Sequence, residues 1–170
     1  MNKDNTPELF SVIAKNYDFL NHLLSFNLDR AWRRRLVSLS RFRPGDKILD
    51  VCTGTGDIAI EFARCGAHDV TGIDLSAGML ARAQKKIEKL DLTTRIKLET
   101  GSALSIPYAD KTFDLVTIGF GLRNLPDYAR GISEMARLLK PSGRLLILEF
   151  SLPPDKLTYG FYSLYLKNYL

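Results

Sequence analysis

The period of apolar positions changes near residue 44. Before it, Phe10, Ile13, Ala14, Tyr17, Leu20 and Leu24 recur at helical spacing, so residues 7–24 read as a helix. A second helix is expected over residues 29–40, with Asp29 placed to cap it. Its Leu28, Trp32, Leu36 and Leu39 fall on one face, and Arg30, Arg34 and Arg41 on another. The turn Arg43-Pro44-Gly45-Asp46 then divides the chain into an N-terminal helical lid, residues 1–43, and a main α/β domain, residues 44–170. Beyond the turn, short apolar runs at 47–51, 69–73, 96–100, 113–118 and 144–150 read as strands. Helical stretches separate them at 57–64, 76–90 and 127–139, the last ended by Pro141-Ser142-Gly143. Strands apolar on both sides, alternating with helices, predict a parallel sheet covered on each face.

Composition changes this picture little. The 170 residues are 45% hydrophobic and 25% charged, as in an ordinary globular domain. Two cysteines, Cys52 and Cys65, exclude a disulfide framework and a four-cysteine zinc site, and two histidines argue against a histidine-rich metal centre. No apolar run approaches the roughly 18 residues of a membrane span, and no signal-peptide core opens the chain, so a cytoplasmic protein is expected. Charge adds more. The net charge is +5. Most of the excess lies in Arg30, Arg33, Arg34, Arg35, Arg41 and Arg43. Most of these read as a solvated face, and the sharper alternative is contact with anionic lipid headgroups at the inner face of a membrane. Nucleic acid is disfavoured, since no aromatic platform or reader motif accompanies the cluster.

The chemistry concentrates in Asp50-Val51-Cys52-Thr53-Gly54-Thr55-Gly56-Asp57. Glycines at 54 and 56 allow a sharp turn and close approach of a ligand. The loop opens a helix, whose free N–H groups favour a polar or anionic group. Asp74, 18 residues after Gly56 and at the end of the second strand, is placed to accept the two hydroxyls of a ribose. These features indicate an adenosine-bearing cofactor at the carboxyl ends of the first two strands. The third position of a dinucleotide fingerprint is Ala59, not glycine, and Asp50 is placed to meet a cationic amino group. Both favour S-adenosylmethionine, with its amino-acid moiety and no phosphate, over a nicotinamide dinucleotide.

The stretch from Ile48 to Asp57 resembles the first motif of the class I S-adenosylmethionine-dependent methyltransferases. Tyr17-Asp18, Asn21, Ser25 and Trp32-Arg33 are similar to a signature of the ubiquinone/menaquinone biosynthesis C-methyltransferases. So are Phe120-Gly121-Leu122-Arg123-Asn124, residues 137–144, and Glu149-Phe150-Ser151. The resemblance covers residues 10–151. It implies a Rossmann-like sheet with a helical lid, and two further strands after the fifth. Because the chain stops at Leu170, those strands are expected to be absent and the domain C-terminally truncated.

The same resemblance implies methylation of a prenylated demethylquinol, with S-adenosylhomocysteine as the second product and no metal. Thr53, Gly54, Thr55 and Gly56 would join Asp50 around the methionine end, and Asp74 would take the ribose. Leu75 and Met79 would line the adenine, and Ser102-Ala103 would read its edge. Gly119, where family members often carry Ser, would lie near the departing methyl group. Arg123 and Asn124 follow a central strand, where ligands bind in open α/β sheets. Arg123 is expected to stabilise a phenolate or activate a water, Asn124 to orient the ring, and Tyr17 to complete the relay. Arginine is itself too basic to act as a simple proton acceptor. The alternatives are another small-molecule acceptor, or a cofactor-binding fragment without activity. A homodimer is one possible assembly.

Overall fold

The computed structural model describes residues 28–149. Numbered from the first described element, they form α1 (Leu28–Ser40), β1 (Lys47–Val51), α2 (Asp57–Arg64), β2 (Asp69–Asp74) and α3 (Ala77–Lys89). Then follow β3 (Ile96–Thr100), β4 (Phe113–Gly119), a 3-10 turn (Leu122–Asn124), α4 (Tyr128–Leu138) and β5 (Leu139–Leu148). The expected helix over 7–24 lies outside the described residues, as does Tyr17.

All strand pairs are parallel, in the order β3-β2-β1-β4-β5. The chain runs outward from β1 to β3, then returns to the other side of β1 with β4. That reversal leaves a crevice at the carboxyl ends of β1 and β4, where open α/β sheets bind their ligands.

Alternation sorts the strand residues between two cores. Ile48, Val70 and Leu115 point to one face, where Ile58, Phe62 and Ile87 cover them. Leu49, Val51, Ile73, Val116 and Ile118 point to the other, against Met135 and Leu138 of α4. The β4–β5 register breaks at Asp114: Phe113 pairs with Leu139, and Leu115 already pairs with Arg144. Residues 140–143 are therefore an excursion from the ladder, and Phe113 is turned into the α4 face although Leu115 lies on the opposite one. Lys140 Nζ is 2.7 Å from Asp114 Oδ2 across this bulge. The fifth strand expected from residue 144 thus begins its regular pairing at Arg144. The expected terminator Pro141-Ser142-Gly143 sits inside the strand's span, and the preceding helix stops at Leu138.

Two readings of α1 are corrected. Asp29 stands inside the first turn instead of before it, buried and bonded to Arg33. The inward face is Asp29, Leu36, Val37 and Ser40, while Leu28 and Leu39 are exposed. The phase is rotated from the expected one, so Arg33 leaves the solvated cluster. Leu36 and Val37 enter the same core as Ile48 and Phe62. This packing joins the helix assigned to the lid to the main domain.

Candidate active site

β1 carries Asp50 into the sheet centre, level with Gly72 of β2 and Thr117 of β4. Asp50 is 1% exposed. Its Oδ2 accepts from Thr53 Oγ1 at 2.7 Å and its Oδ1 from Thr117 Oγ1 at 2.9 Å. Thr53 can fold back to reach it because Gly72 has no side chain: a Cβ there would stand 2.9 Å from Thr53 Oγ1. Burial pushes the Asp50 carboxyl up to about 6, against the opposing pull of the two hydroxyls, and the charge of Asp74 adds to the rise.

The loop after β1 follows a left-handed path. Cys52, Gly54 and Gly56 have φ of 54°, 57° and 81°. Space above Gly54 is open, with no atom within 4 Å of where a Cβ would be. Asp74 holds the loop from β2. Its Oδ2 accepts from the Gly54 amide at 2.8 Å and its Oδ1 from the Ser76 amide at 2.8 Å. Desolvation pushes Asp74 above the usual carboxylate range, opposed by these same amides. The neighbouring Leu75 is half exposed, an apolar side chain beside an acid at the crevice rim.

Like Asp50 and Thr53, the candidates Thr55, Met79 and Ala103 are buried. Thr55 accepts from Lys86 Nζ at 2.9 Å. Met79 packs inside the fold at 2% exposed. Ala103 is likewise enclosed. Ser102 lies at the carboxyl end of β3, and its Oγ accepts from the Leu104 amide at 3.2 Å. The loop beyond is tied to α4: Glu134 Oε1 accepts from the Ile106 amide at 2.8 Å, and Arg137 donates to the carbonyls of Ile106 and Tyr108.

Gly119 ends β4 in a tight place, where a Cβ would stand 2.3 Å from Ile58 Cδ1. The segment beyond turns over the glycine loop, since a Cβ on Gly121 would stand 2.6 Å from Cys52 Cβ. The 3-10 turn with Arg123 and Asn124 follows directly on this contact with the start of the glycine loop. Arg123 is ion-paired with Glu149 just beyond β5, and its amide donates to the same carboxylate at 3.2 Å. Asn124 Nδ2 donates to the Phe120 carbonyl at 3.4 Å. Phe120 in turn packs near Trp32 of α1, ring centroids 6.2 Å apart.

Sequence reasoning missed the roles of Thr117, Lys86, Arg33 and Glu149. Arg33 and Glu149 carried a signal, each as part of a family signature; Thr117 and Lys86 carried none. Among the described residues no group of three or more His, Cys, Asp or Glu is arranged to hold a metal ion.

A family model described as the ubiE/COQ5 methyltransferase family matches residues 1–170. The chain belongs to that family. It is 49% identical over 160 residues to the ubiquinone/menaquinone biosynthesis C-methyltransferase UbiE of Geobacter sulfurreducens, covering 93% of this chain and 62% of that protein. It is 43% identical over 168 residues to the demethylmenaquinone methyltransferase of Staphylococcus aureus (strain Newman), covering 98% and 68%. The chain therefore spans roughly two thirds of such relatives' length. Among solved structures, a SAM dependent methyltransferase from Aquifex aeolicus is similar in fold, with TM-score 0.64 and 21% identity over 80% of this chain and 77% of that one. The [4+2]-cyclase SpnF matches at TM-score 0.64 and 33% identity, over 68% of this chain and 44% of that one. The fold is the Rossmann-like α/β sheet of the class I S-adenosylmethionine-dependent methyltransferases. That a cyclase shares it means the reaction must be argued from the site.

Proposed function

We propose that this chain is an S-adenosylmethionine-dependent C-methyltransferase acting on a prenylated demethylquinol. The observation that carries the reading is Arg123, held by Glu149 at the crevice beside a cradle suited to a nucleoside and an amino-acid tail. The cradle fits the cofactor on its own chemistry. Asp74 is a partly exposed acid for ribose hydroxyls, Leu75 is an exposed apolar neighbour for a base, and Gly54 leaves open backbone where a tail would approach. Asp50 supplies the buried counter-charge for an ammonium.

When bound, the cofactor supplies an electrophilic methyl group on a sulfonium. The protein aligns that methyl with the acceptor carbon and keeps water out. A quinol carbon becomes a strong nucleophile once a neighbouring hydroxyl gives its proton to water, and after methyl transfer the ring carbon gives up its own hydrogen to water as a proton. The Arg123 guanidinium stabilises the resulting phenolate, and Asn124, braced on the Phe120 carbonyl, orients the ring. Tyr17, outside the described residues, completes the proton relay. The substrate's prenyl tail places the work at a membrane surface, and the outer side of α1 supports this with exposed Leu28, Leu39, Arg30, Arg34 and Arg35. Among the described residues no helix is long and apolar enough to cross a membrane.

The test is transfer of labelled methyl to demethylmenaquinol and to a demethylated ubiquinol precursor, each in detergent. Transfer to at least one is expected, lost in Arg123→Ala. Failure with both acceptors refutes the reading, and full turnover in Arg123→Ala refutes the role given to that side chain.

A further inference from the structure

Space above Gly54 is open, and the loop is held from its other sides, by Asp74 of β2 and by α3. Ala83 of α3 presses against Gly56, with its Cβ 3.0 Å from where a Cβ on Gly56 would stand. One turn on, Lys86 Nζ donates to Thr55 Oγ1 at 2.9 Å and to Asp57 Oδ1 at 2.8 Å. These are the two residues flanking Gly56. The other oxygen of Asp57 lies 2.9 Å from Arg33 Nη1 of α1, and Arg33 also meets Asp29 Oδ2 at 2.8 Å.

Among the described residues, these four charged side chains form a largely buried chain of alternating sign across three helices. Asp29 and Arg33 are 4% and 12% exposed, and Asp57 and Lys86 are 24% and 30% exposed. Ion pairs removed from water are weak stabilisers of a fold, because desolvation offsets the attraction. Charge-assisted bonds do fix geometry. Here they fix the backbone that carries Gly54 and Gly56, both in left-handed conformations.

We infer that Lys86 and Arg33, acting through Thr55 and Asp57, are positioning residues for the cofactor loop, and that they couple α1 to its placement. This rests on the loop holding the amino-acid end of the cofactor. Lys86 bridges both sides of Gly56, so removing its charge frees the loop without touching the acid that takes the ribose. Arg33 holds Asp57 from the opposite side, so α1 is tied to the same loop through one carboxylate.

Calorimetric titration of the 170-residue chain decides this, using S-adenosylhomocysteine and methylthioadenosine, which keeps the adenosine and sulfur but lacks the amino-acid tail. Lys86→Met removes both hydrogen bonds to the loop and is expected to weaken S-adenosylhomocysteine about tenfold, while leaving methylthioadenosine within about twofold. Lys86→Arg should restore most of the affinity, and Arg33→Gln should give the same pattern with a smaller loss. Arg33→Gln also serves as the reading if Lys86→Met does not fold. If the variants melt at lower temperature but bind both ligands like wild type, or lose both ligands equally, the inference is overturned. If the wild-type chain binds neither ligand, the cofactor reading fails and takes this inference with it.

Discussion

Replacing Asp50 by Asn separates what this carboxylate does for a ligand from what it costs the fold. Asp50 is buried, and burial raises its pKa from 3.8 to about 6. Keeping it ionised in the native state at neutral pH therefore costs on the order of 3 kcal/mol relative to the unfolded chain. The native state holds the Asp50 proton to higher pH than the unfolded state does. Between pH about 4 and about 6 it binds more protons, so this contribution to stability falls as pH rises through that window and is level above it. Asn has no such dependence, and its shape suits the site. Its Oδ1 accepts from one threonine hydroxyl, and its Nδ2 donates to Thr117 Oγ1, which lies 3.5 Å from the Leu49 carbonyl and can turn its own proton there. Urea denaturation from pH 4.5 to 7.5 should show Asp50→Asn gaining on wild type as pH rises, by about 2 kcal/mol across the range. The same variant should bind S-adenosylmethionine more weakly at pH 7.5, having lost the counter-charge. A stability gap that stays constant with pH would refute the argument from buried ionisation, and unchanged affinity would refute the role at the ammonium.

Two further expectations concern β4 and its neighbours. Gly119→Ser puts a Cβ against Ile58 and should cost about 1–3 kcal/mol of stability, recovered in part by Ile58→Val, which removes the offending methyl. Urea midpoints for the two single variants and the double variant check this, and additive losses would rule the contact out as the cause. Glu149→Gln should lower methyl-transfer turnover about ten- to a hundredfold while cofactor affinity stays the same, because the guanidinium of Arg123 loses its anchor. Unchanged turnover would leave Glu149 as a surface ion-pair partner only.

Local pattern made much of the fold legible. The strands at 47–51 and 96–100 and the helix at 57–64 follow from short apolar runs and one amphipathic turn, signals carried by adjacent residues. Asp127 and Ser76 were readable at their helix starts, and each side chain accepts from an amide three residues on. The excursion at residues 140–143 was not, because Pro-Ser-Gly after a helix signals an ending whether or not a strand pairs around it. The phase of α1 was also missed. Leucines at 28 and 39 looked like core positions, and only Arg33's distant partner, Asp57, decides that an arginine belongs on the inner face.

At the site, Gly54, Gly56 and Asp74 were legible because their spacing alone specifies a turn and an acid at a strand end. Their supports were not. Thr117 reaches Asp50 across 67 positions of sequence, and Lys86 reaches Thr55 across 31. Contacts of that kind leave no periodic trace in a single chain. Gly72 shows the same limit: its lack of a side chain matters only because Thr53 folds back across it.

The chain contains one tryptophan, and it packs near Phe120, on the segment that leads to Arg123. Its indole is thus a native optical reporter set against the stretch that carries Arg123. Emission recorded during mixing would register a change in that stretch in time, with no dye attached and no residue changed.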